Sequence, residues 1–485
     1  MACAATGAGV PPQERFVGIT VMPEYIQAEG VDRVIENIRQ RAGATAVCTS
    51  PYVMAPADEK TGSREPPIDA GAGKVRLLDR PLWGRRELFV RTAPAFAPDL
   101  ALYRGLRYQP PPPEDLTRRD GARIGEFLRA ARKAGLRVYF QIQAASPPGY
   151  RVQFGGPADE DRPRLPDGRI PPRRVDNNAS LASPDVRRYT EALIRDLCRA
   201  WPELDGIRVD WPEYPPYFLD GTFLDFSRPA QQAAERMSFP FERMRRDALE
   251  AYRLLHGGLT NRHLESWMEA DGGRFALAEA MARRPGLAEL FRFKAALAEE
   301  LLAGFRKALT EAGGESKELV PNLFPPPFSL VSGAEFGRAA RHSTSLSVKL
   351  YTMHWPMIVR FHAETLLGAN PGLSERLVVG TLARLMDVAD NPSDRLTDYR
   401  YPEPEEPHPA GAAAQARKIR QARASAAGAP VNALAHGYGP LEDFRERLRT
   451  AWQASGGRVW VNRYGYLGDA KLDAIRQVCA DQRLA

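Results

Sequence analysis

The sequence predicts an α/β protein, a (β/α)8 TIM barrel with long insertions in the loops that follow its strands. Eight short apolar runs lie along the chain, separated by segments in which apolar residues recur at helical spacing. Parallel strands need crossover connections of this length, which helices normally supply. The chain of 485 residues is long enough for one such domain spanning 1–485. An open doubly wound sheet is the alternative.

The predicted strands are four to eight residues long and rich in apolar and β-branched side chains. They lie at 16–22, 45–48, 136–143, 206–210, 319–323, 346–351, 430–435 and 458–462. Two shorter strand-like pieces lie near 74–78 and 87–91. Because the last two lie inside a long irregular segment, we expect them outside the barrel wall.

Apolar residues at every third or fourth position predict helices between the strands. These helices lie at about 30–42, 114–134, 183–201, 229–312, between the sixth strand and about 390, 411–427, 440–455 and from 469 onward. Ser183 followed by Pro184 is typical of a helix start, and Gly135 of a helix end. Segments too long for plain connections predict insertions at about 50–113, 145–182 and 215–312.

Composition excludes several classes of protein. Hydrophobic residues make up 44% and charged residues 26% of the chain, which is typical of a globular protein. The net charge of +7 is small for this length and not clustered, so we expect no nucleic-acid partner. Four scattered cysteines without a Cys-x-x-Cys pair predict neither a cysteine-bound metal nor a disulfide framework. With no apolar leader or run of 18 apolar residues, we expect a cytoplasmic protein without membrane contact; the oligomeric state stays open.

The fourth predicted strand carries the strongest chemical signal. Arg208 and Asp210 share one parity, so both side chains point to the same face, the interior of the predicted barrel. Charged groups there are costly unless they are paired or used. Asp210 ends the strand, where barrel enzymes hold their active sites, and Glu213 follows in the loop. Two carboxylates could divide nucleophile and acid roles; alternatively, Arg208 and Asp210 form a structural ion pair.

The segment LDGIRVDWPEYPPY at 204–217 resembles the fourth-strand region of the α-amylase superfamily of glycoside hydrolase barrels, and the preceding run from 180 resembles the helix before it. The resemblance implies that Asp210 is the nucleophile and that Arg208 keeps it ionised. The family's glutamate at the fifth strand end is missing, because Asn322 and prolines lie there. The nearest candidates for the acid/base are Glu213 and then Glu24.

The other predicted strand ends are rich in groups that bind polyols. Amide, phenol and indole side chains hydrogen-bond and stack on sugars. The candidate substrate-binding residues are Arg208, Glu24, Tyr25, Gln141, Gln143, Lys349, Tyr351, His354, Trp211, His436, Tyr438, Asn462 and Tyr464. Individual tyrosines could instead be packing residues. His354 and His436 could serve a metal, but their spacing has no ligand signature, so we expect neither metal nor cofactor.

The sequence therefore predicts a glycosidase that acts on a carbohydrate, with Asp210 and Glu213 as its catalytic carboxylates. Two alternatives remain. One is a barrel lyase or isomerase that uses Lys349, His354 or a metal. The other is a barrel that binds a glycan without catalysis. The sugar, the linkage and the anomeric outcome are not encoded in any motif.

Overall fold

The computed structural model describes residues 14–67, 77–151, 155–269 and 272–480. The strands in these residues are β1 (Phe16–Thr20), β2 (Ala46–Thr49), β3 (Tyr52–Ala57), β4 (Ser63–Glu65), β5 (Leu88–Pro94), β6 (Arg137–Gln143), β7 (Gly206–Asp210), β8 (Glu318–Leu323), β9 (Leu346–Leu350), β10 (Val431–His436) and β11 (Arg458–Asn462). Eight parallel strands close into a barrel in the order β1-β11-β10-β9-β8-β7-β6-β2. The predicted (β/α)8 barrel is confirmed, and the open sheet is excluded.

Helices cover the outside of the barrel and fill its insertions. They are α1 (Pro23–Glu29), α2 (Val31–Ile35), α3 (Asp115–Asp120), α4 (Ala122–Lys133), α5 (Pro184–Ala200), α6 (Arg228–Arg236), α7 (Phe241–Arg253), α8 (Asn261–Met268), α9 (Gly273–Ala282), α10 (Pro285–Gly313), α11 (Phe328–Ser332), α12 (Phe336–Ala340), α13 (Trp355–Ala369), α14 (Glu375–Met386), α15 (Ala412–Ser425), α16 (Leu441–Ala454) and α17 (Asp469–Ala480). As the sequence predicts, the Ser183 side chain caps α5 by accepting the N–H of Val186.

The insertion after β2 contains a small sheet that the sequence did not predict. Strands β3, β5 and β4 pair antiparallel in that order beside the barrel. Residues 88–91 of the piece predicted near 87–91 lie within β5. Of the piece predicted near 74–78, residues 74–76 lie outside the described residues, and 77–78 are not in a strand. Helix α1 was not predicted, because the first helix was expected only at about 30–42.

The barrel interior below the mouth is a packed core. Its apolar side chains come from alternate positions of the barrel strands and are Phe16, Ala46, Cys48, Tyr139, Val320, Leu434 and Trp460. Ile207 and Val209, at the intervening positions of β7, pack outward in the helix-facing core. The guanidinium of Arg208 lies 4.0 Å from the ring centroid of Trp460, so this indole separates the core from the polar mouth above it.

Gly18 is expected to be intolerant of a larger side chain. A Cβ at position 18 would lie 2.2 Å from Cε3 of Trp460, which is buried and cannot move away. We expect Gly18→Ala to lower the free energy of unfolding in urea by about 1–3 kcal/mol. The matched control is Gly368→Ala on the exposed side of α13, where no atom lies within 4 Å. Equal stability of the two variants would contradict the tight packing of the barrel floor.

Candidate active site

A cavity of about 480 Å³ opens at the carboxyl ends of the barrel strands. Eight residues expected at strand ends line it, namely Gln141, Gln143, Asp210, Trp211, Tyr351, His354, His436 and Asn462. It is also lined by five charged or amide residues that sequence reasoning missed: Arg151, Arg174, Asp176, Asn177 and Arg463. The cavity therefore combines a carboxylate of β7 with amide, phenol, imidazole and indole groups.

The Asp210 carboxylate at this mouth is paired with Lys349 of β9. Lys349 Nζ lies 2.9 Å from Asp210 Oδ1 and 3.6 Å from Glu213 Oε1. The backbone N–H of Trp211 also donates to Asp210 Oδ1, at 3.1 Å. Trp211 has a φ of +52°, a left-handed conformation that costs free energy for a bulky residue and is most common at functional sites.

Lys349 lies below the cavity and does not line it. Its side chain is only 2% exposed, and its ammonium lies 4.7 Å from the ring centroid of Phe324 and 5.6 Å from that of Trp211. Surrounded by rings and carboxylates, it acts as the counter-charge of Asp210.

Glu213, the expected acid/base, is fully buried behind the cavity wall. Ser332 Oγ donates to one of its oxygens at 2.7 Å, and the N–H of Phe324 donates to the other at 2.9 Å. Burial raises the pKa of Glu213, although Lys349 and both hydrogen bonds oppose the shift. With both oxygens engaged by the protein, this carboxyl is placed to hold Lys349.

Arg208 points into the barrel, as its parity predicts, but it does not form the ion pair with Asp210 that the sequence left open. Its guanidinium donates to Thr20 Oγ1 at 3.1 Å and to Asn322 Oδ1 at 2.9 Å. It is fully buried and does not line the cavity. Asn322, where the resembled superfamily has a glutamate, therefore fixes a lumen arginine.

Glu24 belongs to a buried network of charges beside the cavity. It lies on α1 and is fully buried; Arg463 donates to it at 3.2 Å, and Arg151 lies 3.9 Å away. Both arginines also pair with Glu65 of β4. Burial raises the pKa of Glu24, which the nearby Glu65 charge reinforces and the arginines oppose. Glu24 supports this arginine-bearing wall from behind.

Three of the tyrosines expected in the site are buried packing residues outside the cavity lining. The Tyr25 hydroxyl donates to the Arg80 carbonyl at 3.2 Å, and that of Tyr438 to the Pro402 carbonyl at 3.0 Å. The Tyr464 hydroxyl donates to Glu29 at 2.7 Å. Each satisfies its polar end against the protein, the alternative that the sequence left open.

His362 is expected to make stability sensitive to acid. It is buried on α13 and donates from Nε2 to the Pro216 carbonyl at 3.2 Å, and burial lowers its pKa to about 4. The unfolded histidine takes up its proton near pH 6.5, so stability is lost as the pH falls from that value toward 4.

We expect the buried, neutral state of His362 to lower the free energy of unfolding by about 2 kcal/mol between pH 7 and pH 5. Urea unfolding of wild type and His362→Gln at both pH values isolates it, because the variant lacks the titrating group and should change less. His263→Gln, at a partly exposed position of α8, serves as the control. Parallel pH profiles for wild type and His362→Gln would contradict the assignment.

Within the described ranges, no cluster of three or more His, Cys, Asp or Glu side chains is arranged to hold a metal ion. Among the helices of these same ranges, none is both long enough and apolar enough to cross a bilayer.

No family model matches the sequence, and no curated protein matches it. Solved structures similar to the chain include the β-galactosidase of psychrophilic Marinomonas ef1, with 10% identity and a TM-score of 0.49 over 96% of this chain and 58% of the galactosidase. The β-amylase catalytic domain of Paenibacillus polymyxa has 10% identity and a TM-score of 0.48, over 96% of this chain and 97% of that domain.

A third similar structure is a GH20 exo-β-N-acetylglucosaminidase of Vibrio harveyi in complex with N-acetylglucosamine. It has 11% identity and a TM-score of 0.39, over 96% of this chain and 54% of its own. Other similar structures are a chitinase of Ostrinia furnacalis, a β-glucosidase and an α-amylase of Thermotoga neapolitana, so these neighbours are glycoside hydrolases.

Proposed function

We propose that the chain is a glycoside hydrolase that cleaves a carbohydrate in the cavity at the barrel mouth. One observation carries the proposal: Asp210 ends β7 on the cavity wall, with the ammonium of Lys349 at 2.9 Å behind it. A carboxylate in this position can stabilise or attack the positively charged anomeric carbon that develops when a glycosidic bond breaks. Active sites of TIM barrels lie at this end of the strands.

The remaining lining supports a polyol as the ligand. Gln141, Gln143 and Asn462 supply amide donors and acceptors, and Trp211 and Tyr351 supply ring faces and edges. Sugars present alternating hydroxyl groups and apolar C–H faces, which this combination matches. In this proposal Glu213 is a positioning residue that fixes Lys349.

The two alternative functions have less support. A lyase that forms a Schiff base needs an amine that reaches the substrate, whereas Lys349 does not line the cavity and lies between two carboxylates. A barrel that only binds glycans does not need a wall carboxylate paired with a buried ammonium, because burying such a pair costs desolvation free energy.

The test is a screen of purified wild type against α- and β-linked aryl glycosides and natural oligosaccharides, with released reducing ends as the measurement. Hydrolysis of at least one glycone at a rate above that of the Asp210→Asn protein is the expected result. Saturable binding of an oligosaccharide without turnover would favour the non-catalytic barrel. Equal turnover by both proteins would contradict the proposed site.

A further inference from the structure

We infer that Asp176, in the insertion between β6 and α5, is the general acid/base that works with Asp210. The inference rests on the proposed function and names the second reacting group of that site. Asp176 lines the same cavity as Asp210. Asp176 and Asp210 are the two aspartates among the described lining residues, and a glycosidase needs two such groups.

The insertion is fastened to the end of β7 by Asn178. This fully buried amide donates from Nδ2 to the carbonyl of Trp211 at 2.8 Å and to that of Glu213 at 3.1 Å. Trp211 directly follows Asp210 along the chain, and Asn178 is two residues from Asp176. Asn178 therefore joins the segment that carries Asp176 to the segment that directly follows Asp210.

The two oxygens of Asp176 are in different environments. Oδ1 accepts the guanidinium of Arg174 and, at 3.0 Å, the N–H of Asn178. Oδ2 has no hydrogen bond within the part of the chain that the structure describes. Arg174 also donates to the Asn178 carbonyl at 2.8 Å, which closes the turn. One oxygen is fixed by the protein, and the other is unpaired among the described residues, on a side chain that is 3% exposed at the cavity lining, so in this proposal it is the oxygen that meets the ligand.

The electrostatics of the two carboxyls suit different tasks. Burial raises the pKa of Asp176 in spite of Arg174, which favours retention of a proton toward neutral pH. Asp210 instead faces an ammonium at 2.9 Å. A raised pKa on one carboxyl and an ammonium beside the other can separate the role of the acid from that of its partner.

In the first step, the proton of Asp176 moves to the glycosidic oxygen. The bond from C1 to that oxygen breaks, its electron pair stays with the leaving group, and the Asp210 carboxylate forms a bond to C1. In the second step, the oxygen of a water molecule bonds to C1 and displaces Asp210. The proton that this water loses goes to Asp176, which restores the starting state.

The test compares two substrates with the glycone found in the screen, one with a poor aryl leaving group and one with fluoride. Fluoride leaves without protonation, so Asp176→Asn should lose about 10²–10⁴-fold in kcat/KM on the aryl glycoside and less than about tenfold on the fluoride. The alkaline limb of the pH profile for the aryl glycoside should also disappear. Because the ratio of two rates is unaffected by the folded fraction, Asp176→Ala gives the same comparison if Asp176→Asn folds incompletely.

Asp159→Asn is the matched control, since Asp159 lies in the same insertion but is exposed and pairs with Arg164. It should leave both rates and the pH profile unchanged. Equal loss on both substrates, or no loss, in the Asp176 variants would overturn this inference and leave the proposed function intact. If wild type hydrolyses no glycoside in the screen, the proposed function fails and this inference fails with it.

Discussion

Replacing Asp210 with asparagine is expected to lower kcat/KM for the best glycoside by about 10²–10³-fold. In the proposed mechanism the carboxylate provides the negative charge that stabilises the transition state, and loss of one such preorganised group typically costs a factor of this size. The neutral amide is nearly isosteric, and Glu213 still lies 3.6 Å from Lys349 Nζ. The barrel should therefore remain folded, and both substrate classes, aryl glycoside and glycosyl fluoride, should lose activity together.

The matched control for this variant is Asp196→Asn. Asp196 is also buried, but it lies on α5 and accepts the Tyr103 hydroxyl at 2.9 Å, outside the cavity lining. It should lose some stability and little kcat/KM, measured on the same substrates. Comparable kcat/KM losses in the two variants would mean that the effect of Asp210→Asn is structural.

Replacing Lys349 with methionine is expected to cost about 3–5 kcal/mol in the free energy of unfolding at pH 7.5. The substitution keeps much of the side-chain volume but leaves two buried carboxyls without their counter-charge, which is the costly way to break a buried ion pair. Burial already raises the pKa of Glu213, and loss of the ammonium that opposes this shift raises it further. The native variant then binds protons that the unfolded chain lacks, so its deficit shrinks as the pH falls toward 4.5.

The interaction between Lys349 and Asp210 is measured by urea unfolding of four proteins: wild type, Lys349→Met, Asp210→Asn and the double variant. The double variant should be more stable than Lys349→Met alone, because it removes one of the unpaired charges. The coupling free energy from this cycle reports the interaction directly. A Lys349→Met protein within 1 kcal/mol of wild type at pH 7.5 would show that the pair does not contribute as described.

The barrel was predictable because each of its strands is a short apolar run buried on both faces. Strand β7, for example, has the same bounds in the sequence prediction and in the structure. The sheet in the insertion was not predictable in this way. Strand β4 has three residues, and β3 contains Pro56, so neither has a periodic pattern long enough to recognise. Helix α1 did have a usable signal, since Pro23 at its first turn is followed by Glu24.

For the candidate site, the sequence predicts side-chain directions within one strand but not the contacts between strands that are distant in the chain. Parity within β7 directs Arg208 and Asp210 inward, but the partner of Asp210 lies 139 positions later in the chain, on β9. Only the closed barrel brings those two side chains together. Asp176 follows two arginines in an insertion without periodicity, so its place at the cavity depends on the buried contact of Asn178 with the end of β7.

The pairing of β1 with β11 closes the barrel, so β1 has this neighbour only after β11 has been synthesised. Asn462 and Arg463, which line the cavity, belong to that final strand and the residue after it. During synthesis on the ribosome, a growing chain that does not yet include Arg463 has neither a closed barrel nor the complete lining of the cavity. Closure of the barrel and completion of the cavity lining therefore both depend on the same late-synthesised strand.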